Sequence, residues 1–235
     1  MATTSISTTS IPTTVARQLD LRQSDSQQLR GRRTKSPTPP VDPLREKFSV
    51  KGALLMYVGN LESYQGIDLL LESFAIALKE VPTAHLVVIG GAPDDVCAYR
   101  LKAGSRRLNH RVHFIGPRPI SQLSQYLEQA DIVVSPRTQG NNTPMKLYSY
   151  LDSGKALLAT NLTTHTQVLN ERIACIAEPR AAAFAAGMVQ LIANPLLRQK
   201  LGVAAQQYIA REHTYEAFSQ KLTGLYDWLQ QDLAA

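Results

Sequence analysis

The sequence predicts a doubly wound α/β domain, a parallel β-sheet (Rossmann-like) covered by helices on both faces. Three observations predict it. Short apolar runs with little polar alternation recur from residue 53 to residue 177, as in strands buried on both faces. Between the runs, apolar residues fall at helical spacing, as in Ile67, Leu70, Leu71, Phe74 and Leu78. Several runs end in small or ring-closed residues: Gly59, Gly90-Gly91 and Gly116-Pro117. Strands that alternate with helices in this order build a parallel sheet.

The elements follow in order. Residues 1–45 lack hydrophobic periodicity. Their Thr-Ser runs, Gln-rich patches and Ser36-Pro37-Thr38-Pro39-Pro40 read as a disordered tail or linker, which leaves 46–235 as the domain, with ordered patterning from about Lys51. Strands are expected at Ala53–Val58, His85–Ile89, Val112–Ile115, Ile132–Ser135, Ala156–Thr160 and Ile173–Ala177. Helices are expected at Ile67–Lys79, Asp94–Leu108, Ile120–Gln129, Pro144–Ser153, Ala181–Ala193, Pro195–Glu212 and Tyr215–Gln231. Tyr148 and Tyr150 fall on opposite sides of one helix, so at least one belongs to the core.

Composition bounds the function. The 235 residues carry a formal charge of +6, but Arg17, Arg22, Arg30, Arg32, Arg33 and Lys35 lie in the tail, so the basic excess says little about the domain and does not argue for nucleic acid. Cys97 and Cys175 are far apart, which fits a reducing, cytoplasmic setting without a disulfide framework or zinc site. No apolar run is long enough to span a membrane, and the N-terminus lacks an apolar signal core. There is no metal-ligand cluster and no nucleophile–His–Asp spacing. A dehydrogenase would need Gly-x-Gly-x-x-Gly after the first strand, and the chain has none.

Residues 131–161 carry the most information. A buried strand runs into Arg137-Thr138-Gln139-Gly140-Asn141-Asn142, and a helix opens at Thr143-Pro144 and stops at Gly154. Thr143 is a good N-cap, and Pro144 suits the first helical position. Free amides and the helix dipole favour an anion there. Lys146 in the first turn opposes that dipole unless an anion lies nearby. An ordinary turn with a solvated lysine fits the same segment. In a doubly wound sheet the loops after the strands (59–66, 90–93, 116–119, 136–143 and 160–166) converge on one cleft. Arg137 at a strand end suits a phosphate or an ion pair. His165 begins a short helix after a strand and is expected to face the cleft, as a sugar contact or as a packing residue.

With these segments placed, the chain resembles the C-terminal, nucleotide-sugar-binding half of retaining GT-B glycosyltransferases of family four. The resemblance rests on Tyr57-Val58-Gly59-Asn60-Leu61 with Gln65-Gly66, on Leu86-Val87-Val88-Ile89-Gly90, on Val112-His113-Phe114-Ile115-Gly116, and on Ala130-Asp131-Ile132-Val133-Val134-Ser135-Pro136 continued through Ser153-Gly154-Lys155 to Ala159-Thr160. It covers roughly residues 52–230. The resemblance implies transfer of a hexose from a nucleotide diphosphate sugar to an acceptor, with no cofactor beyond that co-substrate and no metal. It implies a donor site at Gly59, Asn60, Gln65, Gly116, Pro117, Arg137, Asn141, Asn142, Thr143, Lys146, Ser149 and His165. The implied partners are a nucleotide sugar and an N-terminal acceptor-binding domain or partner chain. Peripheral contact with a membrane is compatible with it. The family's C-terminal helix crosses back onto that other domain, so part of the stripe Tyr215, Phe218, Leu222, Leu225 and Leu229 is expected to be exposed or covered by a partner chain.

The chain also departs from the family pattern. An Arg and a Lys that hold the donor diphosphate correspond here to Asn60 and Gln65, a loss of two charge-assisted hydrogen bonds worth about 1.5–3 kcal/mol each. Two family glutamates, to sugar and to ribose, correspond to Asn141 and Ser149. Two readings follow. Either Arg137, Lys146 and the helix start hold the phosphates in their place, or the domain is a non-catalytic binding or scaffold module, or a truncated fragment, with a decayed donor site.

Overall fold

The computed structural model describes residues 41–233. The expected tail therefore lies outside the described residues except for its last few positions, and those are folded. Helix α1 (Leu44–Lys47) buries Leu44 completely, and the Leu44 amide donates to Gln129 Oε1 at 2.7 Å. Asp131 fastens the same corner, accepting from Arg45 and, at 2.7 Å, from the Leu54 amide. The folded unit thus begins ahead of Lys51. A single buried leucine in a short, charged helix was too faint a periodic signal to mark it.

Six strands form the sheet: β1 (Leu54–Val58), β2 (His85–Ile89), β3 (Val112–Gly116), β4 (Ile132–Ser135), β5 (Ala156–Thr160) and β6 (Cys175–Ala177). All pairings are parallel and the spatial order is β3-β2-β1-β4-β5-β6. This is the doubly wound order, with its reversal between β1 and β4. Alternate residues of each strand feed the two faces. Leu55 and Tyr57 of β1 enter one core with Phe74, Leu86, Val134 and Phe184, while Leu54 and Met56 enter the other with Val87, Val133, Leu151 and Leu157. Burial on both faces is why the strand sequences show no polar alternation.

Helices α2 (Ile67–Ala77), α3 (Pro93–Ser105) and α7 (Ala181–Ala193) contribute to the first core; α4 (Leu123–Glu128), α5 (Lys146–Asp152) and α8 (Pro195–Glu212) contribute to the second. A four-residue helix, α6 (Thr163–Thr166), follows β5. Several expected elements are shorter than their sequence patterns, two of them for visible reasons. The segment 120–129 divides into a 3-10 turn, Ile120–Gln122, and α4. Ile173 and Ala174 lie outside β6, because both their amides donate to the Asn170 carbonyl and turn the chain.

The last helix, α9 (Tyr215–Leu233), buries only Ala217. Phe218, Leu225, Tyr226 and Trp228 are each at least half exposed, so part of the apolar stripe faces outward, as the resemblance implied. No single described helix is long and apolar enough to cross a membrane. At the strand-start end of the sheet, Arg111 donates to His85, whose Nδ1 lies 2.9 Å from His113 Nε2, and Phe48 stacks on His113. Burial and the neighbouring His85 and Arg111 bring His113 down to about 4.

Candidate functional site

The cleft forms where the sheet order reverses, from the loops after β1 and β4. Gly66 lets them meet. Its φ is +77°, and a Cβ there would collide with the Pro136 carbonyl. Thr138 completes the junction by donating its amide to the Tyr64 carbonyl at 3.0 Å. Below the cleft the β1–β4 ladder reaches only Met56 and Val133. Beyond it, the buried Tyr150 hydroxyl accepts from the Val58 amide at 2.7 Å and donates to the Val58 carbonyl at 3.2 Å. One side chain of α5 thereby satisfies the backbone at the end of β1.

Arg137 lies under the β4 loop and is 4% exposed. Its Nε donates to the Gln139 carbonyl at 2.6 Å, Nη1 to the Asn142 carbonyl at 2.9 Å and Nη2 to Asn142 Oδ1 at 2.9 Å. The guanidinium also sits over the Tyr64 ring, 5.2 Å from its centroid. Gly140 leaves the space it occupies, since a Cβ there would strike the guanidinium. Arg137 therefore braces the loop with three of its five donors.

Lys146 supplies the second cation. Its Nζ donates to Gln65 Oε1 at 2.9 Å and to the Tyr57 hydroxyl at 3.0 Å, and it lies 4.1 Å from the centroid of the Tyr57 ring. Tyr57 donates its own proton to the Asn60 carbonyl at 2.6 Å. Among the described residues neither Arg137 nor Lys146 makes an ion pair with a carboxylate. Burial, then the Arg137 charge, lower Lys146 from its ordinary 10.5 to about 7. Two neighbouring basic side chains, with no carboxylate between them among the described residues, favour an anion over a cation here.

The resulting cleft, about 280 Å³, is lined by Gly59, Asn60, Tyr64, Gln65, Asn142 and Lys146, with Arg137 at its floor. It thus gathers six of the residues singled out from sequence: Gly59, Asn60, Gln65, Arg137, Asn142 and Lys146. The other six lie elsewhere. Asn141 is exposed on the loop. Gly116 ends β3, Pro117 follows it, and neither lines the cleft. Ser149, one turn after Lys146 on α5, opens onto a separate cavity of about 460 Å³ with Ile120, Leu123, Leu127, Asp152 and Gln206.

Two expectations are corrected. Thr143 is not an N-cap: its hydroxyl donates to Gln167 Oε1 at 2.8 Å, and the helix begins at Lys146 rather than at Pro144. His165 does not face the cleft. It is fully buried, with Ser135 Oγ 3.0 Å from Nε2 and the Thr160 carbonyl 2.9 Å from Nδ1. The carbonyl can only accept, so Nδ1 carries the proton and Ser135 donates to Nε2. Burial, against the pull of the Thr160 carbonyl, holds His165 near 4, and it is a neutral packing residue that joins the ends of β4 and β5. Sequence reasoning missed Tyr57, Tyr64 and Tyr150 as parts of the site. Tyr57 and Tyr150 look like ordinary core aromatics in a linear pattern.

Residues 42–208 match the family described as glycosyl transferases group 1, which is more than half of the chain. The chain belongs to that family. Over 184 residues it is 22% identical to the phosphatidyl-myo-inositol mannosyltransferase of Mycobacterium tuberculosis, covering 75% of this chain and 47% of that protein. Over 180 residues it is 26% identical to the D-inositol 3-phosphate glycosyltransferase of Corynebacterium diphtheriae, covering 74% of this chain and 42% of that protein. The chain spans about half the length of these curated relatives. Among solved structures it is similar to Anabaena HepE in complex with UDP, with TM-score 0.69 and 17% identity, over 78% of this chain and 51% of that one. It is also similar to the C-terminal domain of the group 1 family protein LpcC from Francisella tularensis, with TM-score 0.64 and 19% identity, over 75% of this chain and 95% of that one. The likeness to these structures is a likeness of fold: half of a GT-B architecture.

Proposed function

We propose that this group 1 domain binds the donor of a glycosyl transfer, a nucleotide diphosphate sugar, and holds its diphosphate at Lys146 in the β1/β4 cleft. The observation that carries the reading is the pair Lys146 and Arg137, two basic side chains without a carboxylate partner among the described residues, at the switch point of the sheet. Lys146 reaches Gln65, the position where a first-loop lysine would stand in the family, so α5 supplies a charge that the first loop lacks. Ser149 follows Lys146 by three residues on α5, and this reading assigns the nucleoside to the neighbouring Ser149 cavity. The names of the Mycobacterium and Corynebacterium relatives and the UDP bound to HepE point the same way.

In the reaction this reading implies, the bond from the sugar anomeric carbon to the diphosphate oxygen breaks and a bond to an acceptor hydroxyl oxygen forms. The hydroxyl proton leaves with the displaced diphosphate. The domain supplies positioning and stabilises charge on the leaving oxygen through Lys146, without a metal. The acceptor site belongs to a further domain or chain, which would cover the exposed stripe of α9.

Calorimetry with a panel of nucleotide sugars tests the reading. Binding of one of them, undiminished by a chelator and abolished by Lys146→Met, is expected. No binding of any of them by the folded protein refutes it. The neutral Asn60, Asn141 and Ser149 favour a second reading, a binding module with a decayed donor site, for which Ser149→Glu would strengthen nucleotide binding sharply.

A further inference from the structure

We propose that anion binding in the β1/β4 cleft is coupled to uptake of one proton by Lys146. This rests on the donor-site reading above and adds a regulatory property to it.

The hydrogen-bond count at Nζ carries the argument. The described structure offers Nζ two acceptors, Gln65 Oε1 at 2.9 Å and the Tyr57 hydroxyl at 3.0 Å. The Tyr57 hydroxyl is available as an acceptor because its own proton goes to the Asn60 carbonyl. A neutral amine has two N–H donors, and both are then satisfied. An ammonium has three. The third would point into a cleft where no described carboxylate accepts it, beside a guanidinium of like charge. Partial burial beside the like charge of Arg137, with no described carboxylate to offset it, therefore favours the neutral amine in the free site, and an anion favours the ammonium. Nζ lies at the wall of the cleft beside Gly59, where an added Cβ would crowd it at 3.1 Å.

The groups that face Nζ do not offer another proton store near neutral pH. On β1, Tyr57 is raised by burial well above the range in which phenols ionise in water. On α5, Tyr150 is raised by burial in the same way. On the first loop, Tyr64 is raised by its hydrogen bond to Glu62, and Glu62 itself lies beside Asn60. Arg137, below the β4 loop, is permanently charged. On α6, His165 is held near 4 by burial. Lys146, near 7 in the free protein, is the member of this set that can change charge between pH 6 and 9. A bound diphosphate adds negative charge at hydrogen-bonding distance and lifts it.

The test is titration calorimetry of UDP binding to the wild-type chain at pH 8, in buffers of low and high protonation enthalpy. UDP is deprotonated at that pH and releases no proton of its own. Uptake of a proton is expected, up to about 0.9 for an amine titrating near 7 and less to the extent that solvent screens the shift. UDP affinity should fall with pH above 7, by up to about tenfold per pH unit. Lys146→Arg keeps a charge that does not titrate, and should show no uptake and a nearly flat profile over that range. UDP binding without buffer-dependent heat in the wild type would overturn the coupling and leave the donor site standing. Absence of UDP binding from pH 6 to 9, with the fold intact by circular dichroism, would overturn both. The wild-type measurement decides even where the variant fails to fold.

Discussion

Replacing Lys146 by methionine separates a functional lysine from a structural one. The fall of Lys146 from 10.5 to about 7 means that at pH 7 the folded state disfavours the ammonium by up to about 5 kcal/mol relative to the unfolded chain, at 1.36 kcal/mol per pH unit. Lys146 is half-buried, so solvent screening cuts this to about half. Methionine also loses the bonds to Gln65 and Tyr57, worth about 1 kcal/mol together once solvation is counted, and keeps the apolar stem in place. Lys146→Met should therefore be about 1–2 kcal/mol more stable than the wild type at pH 7. The sign with pH follows from linkage. The folded-state value is depressed, so the unfolded chain binds more protons from pH 7 to 10.5, and wild-type stability rises across that window. By pH 10 the advantage of the variant should vanish. Urea unfolding at pH 7 and pH 10 measures both quantities. A variant less stable than the wild type at pH 7, or a difference that does not change with pH, would refute the reasoning: Lys146 would then be a solvated or structurally paired lysine.

Three further outcomes follow from other parts of the site. His165 is held near 4, below its ordinary 6.5, so the unfolded chain takes up its proton first and stability present above pH 6.5 is lost as pH falls to 4; urea unfolding should show up to about 3 kcal/mol of acid destabilisation that His165→Gln removes. Gly66→Ala should cost about 2–4 kcal/mol, from a left-handed φ and a Cβ driven into the Pro136 carbonyl, and a loss below 1 kcal/mol would show that the two loops are not held against each other. Tyr150→Phe strands the Val58 amide and should cost about 2 kcal/mol in thermal or chemical unfolding with little change in fold by circular dichroism, whereas a neutral effect would remove Tyr150 from the account of how β1 ends.

The strands were legible because burial on both faces leaves an unbroken apolar run, and four of the six expected strands differ from the observed ones by no more than their first residue. That the sheet is parallel and doubly wound was legible too, from the alternation of strands with helices. Four helix starts, Ile67, Ala181, Pro195 and Tyr215, were legible as well, but the start of α5 was not. Thr143 and Pro144 have the local chemistry of a helix start, but Gln167, 24 positions along the chain, takes the Thr143 hydroxyl. His165 misled for a related reason: its position after a strand was read correctly, while its direction is set by Ser135 and Thr160, which only the folded sheet brings to it. Lys146 was legible as a cation in an unfavourable place. Its closeness to Gln65, 81 positions away, was not, and that contact turns a substitution in the first loop into a charge moved to α5.

The most direct measurement is NMR chemical-shift mapping of the labelled chain with UDP at pH 7. The account predicts perturbations concentrated at Gly59, Asn60, Gln65, Asn142 and Lys146, with a second group at Ser149 and Leu123, and silence around His85 and His113 at the other end of the sheet. Perturbations centred on His113, or none at saturating UDP, would contradict it.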